Sequence, residues 1–262
     1  GIDAIIHFAG SIVVPDSVSD PLGYYANNTV VARNLIEAAV QGGVRHFIFS
    51  STAAVYGEDD TGIPIPETAN TSPINPYGRS KLMTEWMLQD CTRAYDFRSV
   101  ALRYFNVAGA DPMGRTGQST PRATHLIKRG CQAALGRVER LDIFGTDYPT
   151  PDGTGVRDYI HVSDLVAAHA LALDYLRSGG EPTVMNCGYG HGASVREVIA
   201  SIERIAGHTL AVREAPRRPG DPASLVADSR LARATLDWTP QHDDLDEIVR
   251  HAFAWEKRLN WA

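Results

Sequence analysis

Three short runs rich in β-branched and aromatic residues punctuate the first half of the chain: DAIIHFAG (3–10), VRHFIFSSTAAVYG (44–57) and SVALRYFNVAG (99–109). Two segments of helical period lie between them, YYANNTVVARNLIEAAVQGG (24–43), stopped by Gly42 and Gly43, and RSKLMTEWMLQDCTRAYDF (79–97). Strand, helix, strand, helix, strand is the pattern of a parallel sheet joined by right-handed crossovers. The first run is too apolar for a half-exposed strand. In such sheets ligands gather beyond the carboxyl ends of the strands, so HFAG, SSTAAVYG and RYFNVAG are where a site is expected.

The second half is less regular. TPRATHLIKRGCQAAL (120–135) reads as a helix after a proline-marked start. LDIFGTDYPTPDGTGVRDYIHVSDLVAAHALALDYL (141–176) reads as a strand, a turn-rich loop, and a strand running into an apolar helix. VMNCGYGHGASVREVIASIERIAG (184–207) is a strand, a glycine-rich turn and a helix with Ser194 as N-cap. A strand, a basic proline-bearing loop and a short helix follow, and then a terminal amphipathic helix from Leu245. A chain of 262 residues is long enough for one large α/β domain or two smaller ones. Its net charge of -6 argues against nucleic acid as a general partner. Cys91, Cys131 and Cys187 are far apart, lack metal-ligand spacing and suit reduced thiols in a cytoplasm. No apolar run approaches the ~18 residues of a membrane span, so no membrane partner is expected.

NPYGRSKLMTEW (75–86) places Tyr77 four residues before Lys81, on one face of a helix. The pair alone is weak, because tyrosine packs against lysine stems on many exposed helices. Its setting adds weight: Ser50, Ser51 and Thr52 stand at the end of the preceding strand, although Ser50 and Ser51 also suit a polar strand end bonding to backbone. Bringing a phenol from a pKa of ~10 to ~7 takes about 4 kcal/mol. One cation ~4 Å away, at an effective dielectric of ~20, supplies roughly that amount. Lys81 is therefore expected to acidify Tyr77 into a general base for an alcohol, with Thr52 relaying or orienting the proton.

HFAG, YYANN, FIFSSTAAVYGE, NPYGRSKLMTE, LRYFNVAGADP, IFGTDYPTPDGTGVRDYIHVSDL and APRRPGDPA follow one another across nearly the whole chain. In this order they resemble the sugar-nucleotide epimerases of the extended short-chain dehydrogenase/reductase family. The resemblance implies an α/β fold: a Rossmann-like doubly wound parallel sheet with a smaller α/β substrate-binding domain. The first is expected to span 1–108 and 156–178, the second 109–155 and 179–262. It also implies an enzyme that holds NAD and interconverts UDP-glucose and UDP-galactose, as a homodimer built on helices like 24–40 and 79–91.

Residue by residue, the resemblance makes Tyr77 the base at the sugar 4-hydroxyl, with Thr52 beside it and Lys81 on the nicotinamide ribose, where the positively charged nicotinamide would add to the acidification of Tyr77. Phe8, Ala9, Gly10, Asn28, Ser50 and Tyr104 fall on the cofactor side. Asn106, His125, Arg157, Arg218, Asp221 and Leu225 fall on the substrate side. Two arginines for a diphosphate and one carboxylate for ribose hydroxyls is a sensible division of labour. The bulk of Leu225 implies limited room for a 2-acetamido group. Cys187, His46, His161, His169 and His251 are read as packing or surface residues. Ser11 and Ile12 stand where some relatives carry a lysine for the cofactor pyrophosphate.

A related dehydratase would share the Tyr–Lys pair but needs an acid–base carboxylate pair beside Thr52, where Ala53 and Ala54 stand. A non-catalytic UDP-sugar-binding fragment is the reading from another class. It arises because no G-x-x-G-x-x-G loop stands between a strand and a helix. Such a loop belongs to a unit roughly 60–75 residues before DAIIHF. The expectation is thus a fragment of a longer product that binds NAD poorly, turns over little, and presents AIIHF as an apolar edge.

Overall fold

The computed structural model describes residues 1–57, 62–120, 123–218 and 221–259. Its elements are, in order, β1 (Ala4–His7), α1 (Val14–Ser19), α2 (Pro21–Tyr24), a π-helical turn Tyr25–Val30, α3 (Val31–Gln41), β2 (His46–Ser50), α4 (Pro76–Ala94), β3 (Arg98–Tyr104) and β4 (Asn106–Ala108). Then come α5 (Leu126–Ala134), β5 (Leu141–Phe144), β6 (Val156–Arg157), β7 (Tyr159–His161), α6 (Val162–Arg177) and β8 (Thr183–Cys187). β9 (Ala193–Ser194), α7 (Val195–Ala206), β10 (Val212–Ala215), β11 (Ser224–Leu225), α8 (Arg230–Leu236) and α9 (Leu245–Arg258) complete the described chain.

The three expected strands form a parallel sheet in the order β1-β2-β3, and β8 extends it beside β3. Strand alternation sorts its side chains onto two faces. Phe47, Phe49 and Ala101 meet Ile36 and Ala39 of α3 and Leu88 of α4. Ile48, Val100, Leu102 and Met185 meet Leu165, Ala168, Ala172 and Leu176 of α6. Because both faces are covered, these strands read as continuous apolar runs rather than alternating ones.

Three expectations need correction. Residues 183–187 were expected in the substrate-binding domain but pair with β3, because Met185 and Cys187 complete the apolar face over α6. β6 was expected with the main sheet but joins β9 and β11, while β7 pairs with β4. β1 pairs only with β2 among the described strands, the edge position expected of AIIHF, so Ile6 is 36% exposed and the strand is not as fully buried as its apolar run implied.

Local signals fix the segments that carry the site. α4 starts where Asn75 accepts the Gly78 N–H at 2.9 Å and Pro76 takes the first helical position. α7 starts with a full capping box, Ser194 and Glu197, as the sequence indicated for Ser194. No described helix is long and apolar enough to cross a membrane.

The two-sided sheet makes a graded prediction. Ile48→Ala, at the buried centre, is expected to cost roughly 2–5 kcal/mol in urea unfolding, and Ile6→Ala at the edge clearly less. Equal losses would contradict the placement of β1.

Candidate active site

The carboxyl ends of β2 and β3 lie under the first turns of α4. Gly78 permits this approach, since a Cβ there would clash with the Ala54 carbonyl oxygen. The helix therefore drops Tyr77 onto Thr52, which caps the short turn Ala53–Val55 and accepts the Ala54 N–H at 3.2 Å. One turn on, Lys81 is 3% exposed and donates from Nζ to the Ser50 carbonyl oxygen at 2.9 Å. Its ammonium also sits 4.9 Å from the centre of the Phe49 ring. Tyr104, at the end of β3, brings its hydroxyl beside Ser50 and Tyr77.

The electrostatics correct the sequence expectation. Tyr77 is 6% exposed, and burial pushes its phenol above the ordinary range; contact with Tyr104 adds to the rise. The hydrogen bond from Thr52 opposes it. Burial outweighs the nearby Lys81 ammonium, which is bonded to the Ser50 carbonyl. Burial lowers Lys81 itself to about 8, with Glu85 acting in the opposite direction.

The other cofactor-side residues divide. Gly10 lies against this cluster at φ +153, and a Cβ there would come 3.1 Å from Asn28 Oδ1 and 3.8 Å from Lys81 Nζ. Asn28, buried in the π-helical turn, accepts the Ser11 N–H at 2.7 Å and donates to Ser11 O and Ser80 Oγ, each at 3.0 Å. Its amide thus fixes the backbone after Ala9 and Gly10. π-turns of this kind recur at functional positions. Phe8 is separate: its ring is 54% exposed and rests 4.6 Å from His169 of α6. That face of β1 is opposite the one where His7 stacks on Phe49.

Some of the residues expected on the substrate side gather on short strands. Arg157 of β6 lies in register with Leu225 of β11 and donates to Asp221 Oδ1 at 3.2 Å. The Arg218 guanidinium sits 3.7 Å from the centre of the Phe144 ring. Pro219 and Gly220 of the RRPGD motif lie outside the described residues. Asn106 and His125 line a common open cleft with Tyr159 and Trp255. His125 Nδ1 is 3.0 Å from the Gln118 amide nitrogen, and burial lowers its pKa.

Sequence reasoning missed the residues that fasten these pieces together. Buried Asp158 accepts the N–H groups of Tyr189, Gly190 and Ala227, which ties β7 to the β8–β9 loop and to β11. Buried Glu85 and Arg103 form an ion pair beneath Lys81. Their signal was present, since Asp158 adjoins Arg157 and Glu85 extends the four-residue spacing of Tyr77 and Lys81. His161, read as a packing residue, caps α6 by accepting the Ser163 N–H at 3.0 Å, and its other ring nitrogen lies 3.0 Å from His251.

Residues 1–188 match the model of the NAD dependent epimerase/dehydratase family. A UDP-glucose 4-epimerase from Azospirillum brasilense is 60% identical over 258 residues, 98% of this chain and 74% of the relative. The chain belongs to that family. Among solved structures, UDP-glucose 4-epimerase from Brucella ovis in complex with NAD is 46% identical at a TM-score of 0.93, over 96% of this chain and 77% of that one. The UDP-Glc/GlcNAc 4-epimerase from Campylobacter jejuni is 52% identical at a TM-score of 0.85, over 98% and 78%. The epimerase/dehydratase match ends before Arg218, Asp221 and Leu225, whereas the full-length similarities include that region.

Proposed function

We propose that this chain interconverts UDP-glucose and UDP-galactose, with NAD as its resident cofactor. The observation that carries the reading is the buried contact of Tyr77 with Thr52 directly above Lys81. The residues present fit NAD. Gly10 leaves no Cβ beside Lys81, and the Lys81 ammonium has three donors, of which the Ser50 carbonyl takes one. Lys81 would hold ribose hydroxyls, with Asn28 supporting the adjoining backbone and Ser50 and Tyr104 completing the wall. Bound NAD supplies the two-electron acceptor that makes the C4 alcohol a ketone and returns the same hydride, with no net redox change.

The chain itself moves the proton. Tyr77 Oη takes the 4-hydroxyl proton of the sugar and gives it back to the inverted alcohol. Thr52, which accepts from Ala54 and donates toward Tyr77, steadies the phenolate. Burial alone keeps Tyr77 protonated, so the base forms when a further positive charge joins Lys81. Arg157 and Arg218 suit the diphosphate, Asp221 the nucleotide ribose, and Asn106 and His125 the cleft beside them. The same reading keeps 1–108 and 156–178 chiefly for the cofactor and 109–155 and 179–262 for the nucleotide sugar. β8 is then a strand lent to the cofactor sheet.

The dehydratase alternative lacks its acid–base pair. Ala53 and Ala54 follow Thr52, and the carboxylate beside Ser51, Glu85, is bound to Arg103. Two copies would pair through α3 and α4, which expose Val31 and Trp86, in a cytoplasm that keeps the three free cysteines reduced.

Tyr77→Phe is expected to lower kcat for UDP-glucose by roughly 10²–10⁴-fold while UDP binding stays unchanged. An unchanged rate would defeat the assignment of the base. Leu225 stands opposite Arg157 and packs against the buried cluster that includes Ala53 and Ile65, so UDP-glucose is expected to be preferred over UDP-N-acetylglucosamine by roughly 10–200-fold. Leu225→Ala should narrow that ratio in competition assays; equal use of both sugars by the unaltered chain would refute it.

A further inference from the structure

Tyr77, Lys81 and Glu85 recur every four residues along α4 and share its buried face. Each is fastened to one of three consecutive residues at the end of β2. Tyr77 meets Thr52, Lys81 donates to the Ser50 carbonyl, and Glu85 accepts from the Ser51 hydroxyl. Glu85 is 6% exposed, and its carboxylate also takes Nε and Nη2 of Arg103 at 3.0 and 2.6 Å. Arg103 sits one residue before Tyr104 on β3. Its other arm donates to the Tyr56 hydroxyl at 3.0 Å, which in turn donates to Asn186 of β8 at 2.7 Å. A buried ion pair often does no better for stability than apolar residues of the same volume, so its place here calls for another use.

We propose that Glu85 is a positioning residue of the reaction: fixed by Arg103 and Ser51, its buried negative charge keeps the Lys81 ammonium protonated beside Gly10. The inference rests on the roles given to Tyr77 and Lys81 above.

Two further observations support it. Burial brings Lys81 down to about 8, and the charge of Glu85 is what opposes the fall. Among the described residues, the other titratable groups around Lys81 offer no substitute anion. His7 of β1 is held toward its neutral form by burial and by Lys81 itself. Tyr77 of α4 and Tyr104 of β3 are phenols held protonated by burial, as is Tyr24 of α2 beside Tyr77. Arg103 is a cation already bonded to Glu85. Without Glu85, the desolvated amine loses its proton at a lower pH. A neutral Lys81 no longer contributes positive charge to the site.

The chain holds three lysines, Lys81, Lys128 and Lys257, so protein labelled with ¹³C at the lysine ε carbons gives three resonances to titrate. Lys81 is expected to titrate at about 8 in the unaltered chain and roughly one to two units lower in Glu85→Gln. The alkaline limb of kcat for UDP-glucose should move down with it, while KM stays unchanged. Because Glu85→Gln strands the Arg103 charge, the pair Glu85→Gln with Arg103→Met, which removes both charges, is titrated alongside. A purely structural role for Glu85 predicts that this double variant regains the unaltered titration and pH profile. The proposal predicts that Lys81 stays low in both. Lys81 titrating at its original pH in the double variant overturns the proposal. The NMR titration needs no turnover, so an inactive chain counts against the epimerase reading and leaves the Lys81–Glu85 coupling to be decided by the titration.

Discussion

Burial of one face of α4 against the ends of β2 and β3 is the constraint from which the site follows. The helix can come that close because Gly78 has no side chain to strike Ala54, and Asn75 with Pro76 fixes where its first turn begins. Once seated, it sets Tyr77, Lys81 and Glu85 over Thr52, Ser50 and Ser51, and desolvation acts on all three. A phenol in that position resists ionisation, an ammonium loses part of its affinity for its proton, and a carboxylate must find cations. On the proposed reading, Tyr77 becomes a base only when further positive charge joins Lys81.

The region around Arg157 and Leu225 is assembled differently. Its strands are two to four residues long and are held in place by buried carboxylates accepting backbone N–H groups. Asp158 joins three segments in this way. Asp164 accepts the Tyr189 hydroxyl at 2.7 Å and the N–H groups of Gln241 and His242 at 2.8 and 2.9 Å. Arg157 and Leu225 are set opposite each other by the short pairing of β6 with β11, and Arg157 holds Asp221 before any ligand arrives. Charged groups paired in advance lose less conformational freedom on binding than free ones.

Much of this was legible in the sequence because its signals are local. Short β-branched runs and period-3.6 patterns located β1, β2, β3, α3 and α4, and Ser194 marked the start of α7. The Tyr77–Lys81 spacing located the buried face of α4. What escaped depends on contacts between distant segments. β8 joins β3 across some eighty residues of chain, a distance over which periodicity is silent. Lys81 was expected to acidify Tyr77 on helical spacing alone, but spacing does not reveal that a carbonyl at the end of β2 captures the ammonium, or that burial outweighs a neighbouring charge. Glu85 looked like any helical glutamate until Arg103 appeared beneath it. Phe8 fell on the expected strand end, but strand alternation turned its ring toward His169.

The central claim is that desolvation holds the Tyr77 phenol neutral until positive charge is brought to it. Ultraviolet difference titration of the unaltered chain against Tyr77→Phe isolates the phenolate of this one residue. The account predicts no Tyr77 ionisation below a pH of ~10 without cofactor, and a transition roughly three pH units lower than in its absence with saturating NAD⁺. A Tyr77 transition at the same pH with and without NAD⁺ would contradict it.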